Sequence, residues 1–172
     1  MPGRRIHITG APGCGVTTLG RAVADALSIP HHDTDDYYWL PTDPPYQQPR
    51  DIPDRIRLMQ EMFVPRDAWV LSGGIDSWAS PITPMVELIV FLRVPTEIRM
   101  LRLRDREARR GLVDPEFIEW ASHYDDGTRG GRSLPRHEAW LQTLSCPVLR
   151  LDGTLPVGEL VDRVLAAIRS NA

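Results

Sequence analysis

Apolar positions along the chain alternate between two periods. RIHITG (residues 5–10) is a short apolar run closed by Gly10, and from Thr17 onward Leu19, Val23, Ala26 and Leu27 fall on one helical face. IPHHDTDD (29–36) reads as a weaker strand ending in carboxylates, and across 50–63 Ile56, Met59 and Phe63 return at helical spacing. AWVLSGG (68–74) is a strand stopped by glycines, and LIVFLRV (88–94) is the most continuous apolar run. Residues 96–111 predict a helix with Thr96 as its N-cap and Gly111 just past its C-terminus. PVLRLDG (147–153) predicts a last strand, and 157–170 a closing amphipathic helix.

Strands alternating with helices in this way predict an α/β domain with a mainly parallel, five-stranded sheet. Right-handed crossovers then put helices on both faces. The chain, 1–172, reads as one domain. Two segments break the alternation: the proline-rich, aromatic stretch 37–49 and the turn-rich stretch 111–142. Insertions at the ligand end of such a sheet act as lids or substrate walls. Ligands bind at the carboxyl ends of parallel strands, and there fall Gly10 to Thr17, Asp33 to Asp36, Ser72 to Asp76 and the residues after Val94.

Composition narrows the classes without choosing among them. A net charge of -3 gives no general electrostatic reason to expect nucleic acid. No window approaches the roughly 18–20 uninterrupted apolar residues of a membrane span. The opening residues enter an apolar strand too short for a secretory signal, so the expected location is the cytoplasm, and the expected state a monomer or homodimer. Cys14 and Cys146 have no metal-site spacing and read as reduced thiols. All 20 basic residues are arginine.

The chemistry starts in ITGAPGCGVTTLG (8–20). A phosphate-binding loop asks for Gly, four residues, Gly, Lys, then Ser or Thr. Gly10, Gly15 and Thr17 are in register, but Val16 stands at the lysine position. Glycines let successive backbone amides turn toward phosphate oxygens, and the following helix adds its unpaired amides and positive end. Gly13, Cys14, Gly15, Val16, Thr17 and Thr18 are the candidate nucleotide contacts, with the Thr17 hydroxyl placed for Mg²⁺. With no lysine in the chain, a replacement cation must be an arginine or come from a partner. After the second strand, Asp33 and Asp35 are two apart. On an extended chain they point the same way, which suits one to serve Mg²⁺ and the other to accept a proton from an attacking hydroxyl; the alternative is solvated turn residues, with Asp capping a following helix.

ITGAPGCGVTTLGRAVADAL followed by HHDTDDYYW resembles the opening of the nucleoside and nucleotide kinase branch of P-loop proteins, shikimate kinase in particular. The resemblance, which covers nearly the whole chain, implies a three-layer P-loop NTPase fold with a helical and loop lid. It implies ATP and Mg²⁺ as cofactors and a small-molecule phosphoryl acceptor, with no nucleic acid or membrane partner. Asp33 would assist Mg²⁺ and Asp35 would meet the acceptor hydroxyl. LDGTLPVGEL (151–160) resembles the loop that packs on the nucleobase, through Gly153 and Thr154. More narrowly, the chain looks like bacterial adenylate-kinase-like P-loop ATPases that lack the loop lysine.

On the helix at 96–111, Arg99, Arg102, Arg106, Arg109 and Arg110 recur along one face. They are either lid arginines, with Arg102, Arg106 and Arg109 or Arg110 as the candidates, or an exposed face partly paired within the helix through Asp105 and Glu107. Arg129, Arg132 and Arg136 in GTRGGRSLPRHE form a second set, and Arg132 and Arg106 are the candidates for the missing charge. Ser72 and Asp76 are wall or Mg²⁺ candidates. Tyr37, Tyr38, Trp39, Trp78 and Trp120 either stack on a ligand or belong to the core. His123 and His137 read as surface histidines. The leading expectation is a small ATP-dependent phosphotransferase; the alternative is a nucleotide-binding module with little or no turnover.

Overall fold

The computed structural model describes residues 4–111 and 113–170. Five strands, β1 (Arg4–Gly10), β2 (His31–Asp33), β3 (Ala68–Ser72), β4 (Leu88–Arg93) and β5 (Val148–Asp152), form one sheet in the order β2-β3-β1-β4-β5. Every pairing is parallel, with Ile8 opposite Ser72 on one side and Val90 on the other. The helices are α1 (Val16–Leu27), α2 (Thr34–Tyr38), α3 (Ile52–Met62), α4 (Thr96–Arg110), α5 (Pro115–Ser122), α6 (Leu134–Gln142) and α7 (Val157–Ser170). This is the expected P-loop kinase architecture.

The central strands are buried on both faces, which explains their near-continuous apolar sequence. One layer packs Ile6, Ile8, Val90 and Leu92 against Leu19 and Val23 of α1 and Leu160 and Val164 of α7. The other packs Trp69, Leu71, Ile89 and Phe91 against Met59 of α3, Phe63 and Leu141 of α6. On β1 the alternation carries a twist. Ile6 and Ile8 alternate with His7 and Thr9, which are polar and yet fully buried.

Two local expectations change. Thr96 is the first residue of α4 rather than its cap; Pro95 occupies the cap and the Thr96 hydroxyl instead donates to Asp125 Oδ2 at 2.7 Å. Asp33 and Asp35 do not share an extended strand. The chain turns into α2 at Thr34, because the Asp33 carboxylate caps that helix by accepting from the Asp35 amide at 3.0 Å.

Candidate active site

The glycine loop connects β1 to α1 over the carboxyl end of the sheet. Gly10 must lack a side chain because a Cβ there would meet the Leu92 carbonyl at 2.6 Å. Gly13 (φ +85) and Gly15 (φ +88) take the left-handed conformation, and Gly15 is the helix cap. Cys14 closes a turn onto the Ala11 carbonyl at 3.1 Å, and Leu19 is the first α1 amide to reach an acceptor, Gly15 O at 3.0 Å. No side chain caps α1. The amides of Val16, Thr17 and Thr18 therefore precede the helix's own ladder, at its positive end and with open space around Gly15. That is an anion cradle.

Val16 turns its side chain against the apolar core, so nothing at that position reaches toward the cradle. Beneath it, Thr17 donates to Asp33 Oδ2 at 2.8 Å. Asp33 thus spans the two motifs, taking the Thr17 hydroxyl on one oxygen and the Asp35 amide on the other. The carboxyl of Asp35 lies beside it at the cleft mouth. Desolvation, then the Asp33 charge, raises its pKa, while Arg132 and Arg106 oppose the shift. Asp76 is likewise raised by desolvation and opposed by Arg132. Among the described residues no cluster of three or more metal-ligating side chains is present. A hydroxyl and a carboxylate that leave the other positions to phosphate and water are the sparse set that Mg²⁺ accepts.

The arginines divide sharply. Arg99 is fully buried: it donates to the carbonyls of Val94 (3.2 Å), Pro12 (3.4 Å) and Ala121 (3.2 Å) and to Thr96 Oγ1 (2.9 Å), and it pairs with Asp125 at 3.3 Å. It ties the glycine loop at Pro12 to the end of α5 at Ala121 and is a structural hub. Arg102 donates to Gly153 O at 3.1 Å. Gly153 itself packs against the loop, since a Cβ there would lie 3.0 Å from Cys14 O; the Thr154 hydroxyl and amide turn back to Asp152. Arg106 pairs with Glu107 at 2.8 Å, within Coulomb reach of Asp35. Arg109 and Arg110 pair with Asp105 and Glu107, Arg129 pairs with Glu119, and Arg136 donates to Gly131 O.

Arg132 differs from all of these. Its Nη1 lies against Gly74, where a Cβ would come within 1.9 Å, and its buried Nε has no hydrogen-bond partner among the described residues. Its charge acts on Asp35, Asp76, His7, His137 and Tyr124.

Ser72 is spoken for structurally, bonding His31 Nε2 at 2.9 Å and the Val16 carbonyl at 3.2 Å. Tyr37 is buried with its hydroxyl on His32, Trp39 packs on Tyr46, and the Trp120 indole N–H donates to Gly130 O. Arg55, which the sequence did not single out, is buried between the rings of Tyr38 and Trp78. His123 does lie at the surface, between Glu119 and Asp126. His137 does not. It is fully buried, bonded to Tyr124 Oη at 2.8 Å and Thr9 Oγ1 at 3.2 Å, and burial holds its pKa down at about 3. His7, equally buried, bonds the Leu71 carbonyl at 3.0 Å and is lowered to about 4.

Known proteins meet this geometry at two levels. YqaC of Bacillus subtilis, an uncharacterised protein, is 40% identical over 179 residues, covering 98% of this chain and 99% of its own. The chain belongs to the YqaC family. No model of an established protein family matches it. A shikimate kinase from Acinetobacter baumannii, solved with shikimate, superposes with a TM-score of 0.64 at 19% identity, covering 99% of this chain and 94% of that one. A gluconokinase from Sinorhizobium meliloti gives 0.60 at 19% identity, with 98% and 93% covered. At that identity the likeness is one of fold, and the family shares its fold with small-molecule kinases. No helix among the described residues is long and apolar enough to cross a membrane.

Proposed function

We propose that the protein is a Mg-ATP-dependent phosphotransferase acting on a small acceptor. The observation that carries the reading is the Thr17–Asp33 hydrogen bond at the open start of α1, with Asp35 held beside it by the same carboxylate. The amides of residues 15–18 would hold the triphosphate, and Thr17 and Asp33 would hold Mg²⁺. When bound, the ion would neutralise charge on the phosphates. Asp35 would accept the proton of the attacking hydroxyl, a task for which its raised pKa suits it. Arg132, whose Nε has no hydrogen-bond partner among the described residues, would supply the positive charge that Val16 cannot. Arg102 and Gly153 would flank the nucleotide from the α4 and β5 sides.

The inward turn of Val16 favours one other reading, a nucleotide binder with little turnover. Thermal shift with Mg-ATP followed by ATP consumption across acceptor panels separates the two. Stabilisation with consumption is expected; stabilisation without it gives the binder, and no stabilisation removes both. Asp35→Asn should abolish transfer while leaving the ATP-induced shift in place. Full activity in that variant would take Asp35 out of the mechanism.

A further inference from the structure

Next to the cleft, between the start of α3, the segment after β3 and the end of α6, lies a cavity of about 440 Å³. Its size is that of a small-molecule pocket. Asp76 is the one charged side chain in its lining among the described residues, and Trp78 and Trp140 also line it. The Trp78 indole N–H is already used on Gly74 O at 3.1 Å, which leaves its ring as the contact surface. By contrast the Trp140 indole N–H and the hydroxyls of Ser77 and Ser80 make no hydrogen bond among the described residues. Thr143 donates its proton to Trp140 O at 2.7 Å, so its oxygen can still accept. The lining thus combines flat apolar faces with many neutral donors and acceptors, and among the described residues it contains no cation.

We infer that this cavity binds the body of a neutral, polyhydroxylated ligand, a sugar or polyol, whose reactive hydroxyl extends past Asp76 toward Asp35. The inference rests on the phosphotransferase reading for the role of that hydroxyl, but binding in the cavity does not require nucleotide. A ring carrying hydroxyls on its edge and C–H groups on its face matches indole walls with polar rims. A carboxylate or phosphate on the same body would face Asp76 with no cation in the lining itself, the Arg132 charge lying beyond it, and like charges in a recess repel. Arg132, beyond Asp76, links the two compartments because its charge acts on both Asp35 and Asp76.

The test is equilibrium binding, by calorimetry or ligand-observed NMR, of glucose, myo-inositol and ribitol to the nucleotide-free chain, with gluconate and glucose 6-phosphate as anionic counterparts. At least one neutral probe should bind at least tenfold more tightly than either anion. Ser80→Phe, which fills the cavity from an exposed position, should weaken that binding tenfold or more without changing the ATP-induced thermal shift. Trp140→Ala should do the same if it folds. Absence of binding by all neutral probes overturns the inference, as does tighter binding of an anion or indifference to Ser80→Phe. Sugar binding without any ATP stabilisation would leave the cavity assigned and remove the phosphotransferase reading instead.

Discussion

The root of α4 and the glycine loop before α6 each bring an arginine to the edge of one cleft, and they hold it in opposite ways. Arg99 has a partner for each of its guanidinium nitrogens and no exposure. Arg132 has a buried Nε with no partner among the described residues and sits among two carboxyls and two neutral histidines. A buried cation whose donors are all met is part of the framework. One whose donors are unmet costs stability until something binds to it. The same residue type therefore does two jobs, separated by hydrogen-bond satisfaction.

Removing Arg99 tests the framework side most severely. Arg99→Ala removes the guanidinium donors from three carbonyls and the cation from Asp125, and should lower unfolding free energy by on the order of 3 kcal/mol, read from urea melts. Stability within error would mean that the hub is dispensable. Arg132→Ala should do the reverse, costing roughly 10²-fold or more in turnover with little change in melting temperature. Equal loss of activity and stability would erase the contrast. A smaller effect comes from the histidines around Arg132. His7 and His137 are held neutral in the fold, so below the ordinary value of 6.5 the folded chain binds fewer protons than the unfolded one. Stability should accordingly fall as pH drops from 6.5 toward about 4, at up to about 1.4 kcal/mol per pH unit for each histidine. His137→Gln should flatten that slope in thermal melts at stepped pH, and an unchanged slope would place the titration elsewhere. Arg109→Ala, which breaks an exposed pair with Asp105, should shift stability by less than about 0.5 kcal/mol.

Much of this was readable from the chain. Strand and helix periods gave the sheet because its central strands are buried on both sides, and the glycine loop declared itself because its backbone geometry demands glycine. The arginines were harder. Their spacing put them on one face, but burial on α4 follows Arg99, Leu103 and Glu107, each four apart, and that narrower stripe is a signal that was there to find. His137 was unreadable for another reason. Its partners, Thr9 and Tyr124, lie on β1 and at the end of the α5 segment, so only the folded chain brings them together. The turn at Thr34 hid similarly, since a carboxylate that caps a helix and one that ends a strand look alike in sequence.

The Leu134 amide bonds the Tyr124 carbonyl at 2.7 Å, and the Tyr124 hydroxyl is anchored through His137 to Thr9 of the central strand. The stretch between Tyr124 and Leu134 is therefore a clasp with a riveted base. Arg132 is thus presented to the cleft from a loop pinned to the central strand, with Gly127 and Gly131 in the left-handed conformation on either side of the chain that carries the tip, so its reach is set by backbone anchors and not by the length of its own side chain alone.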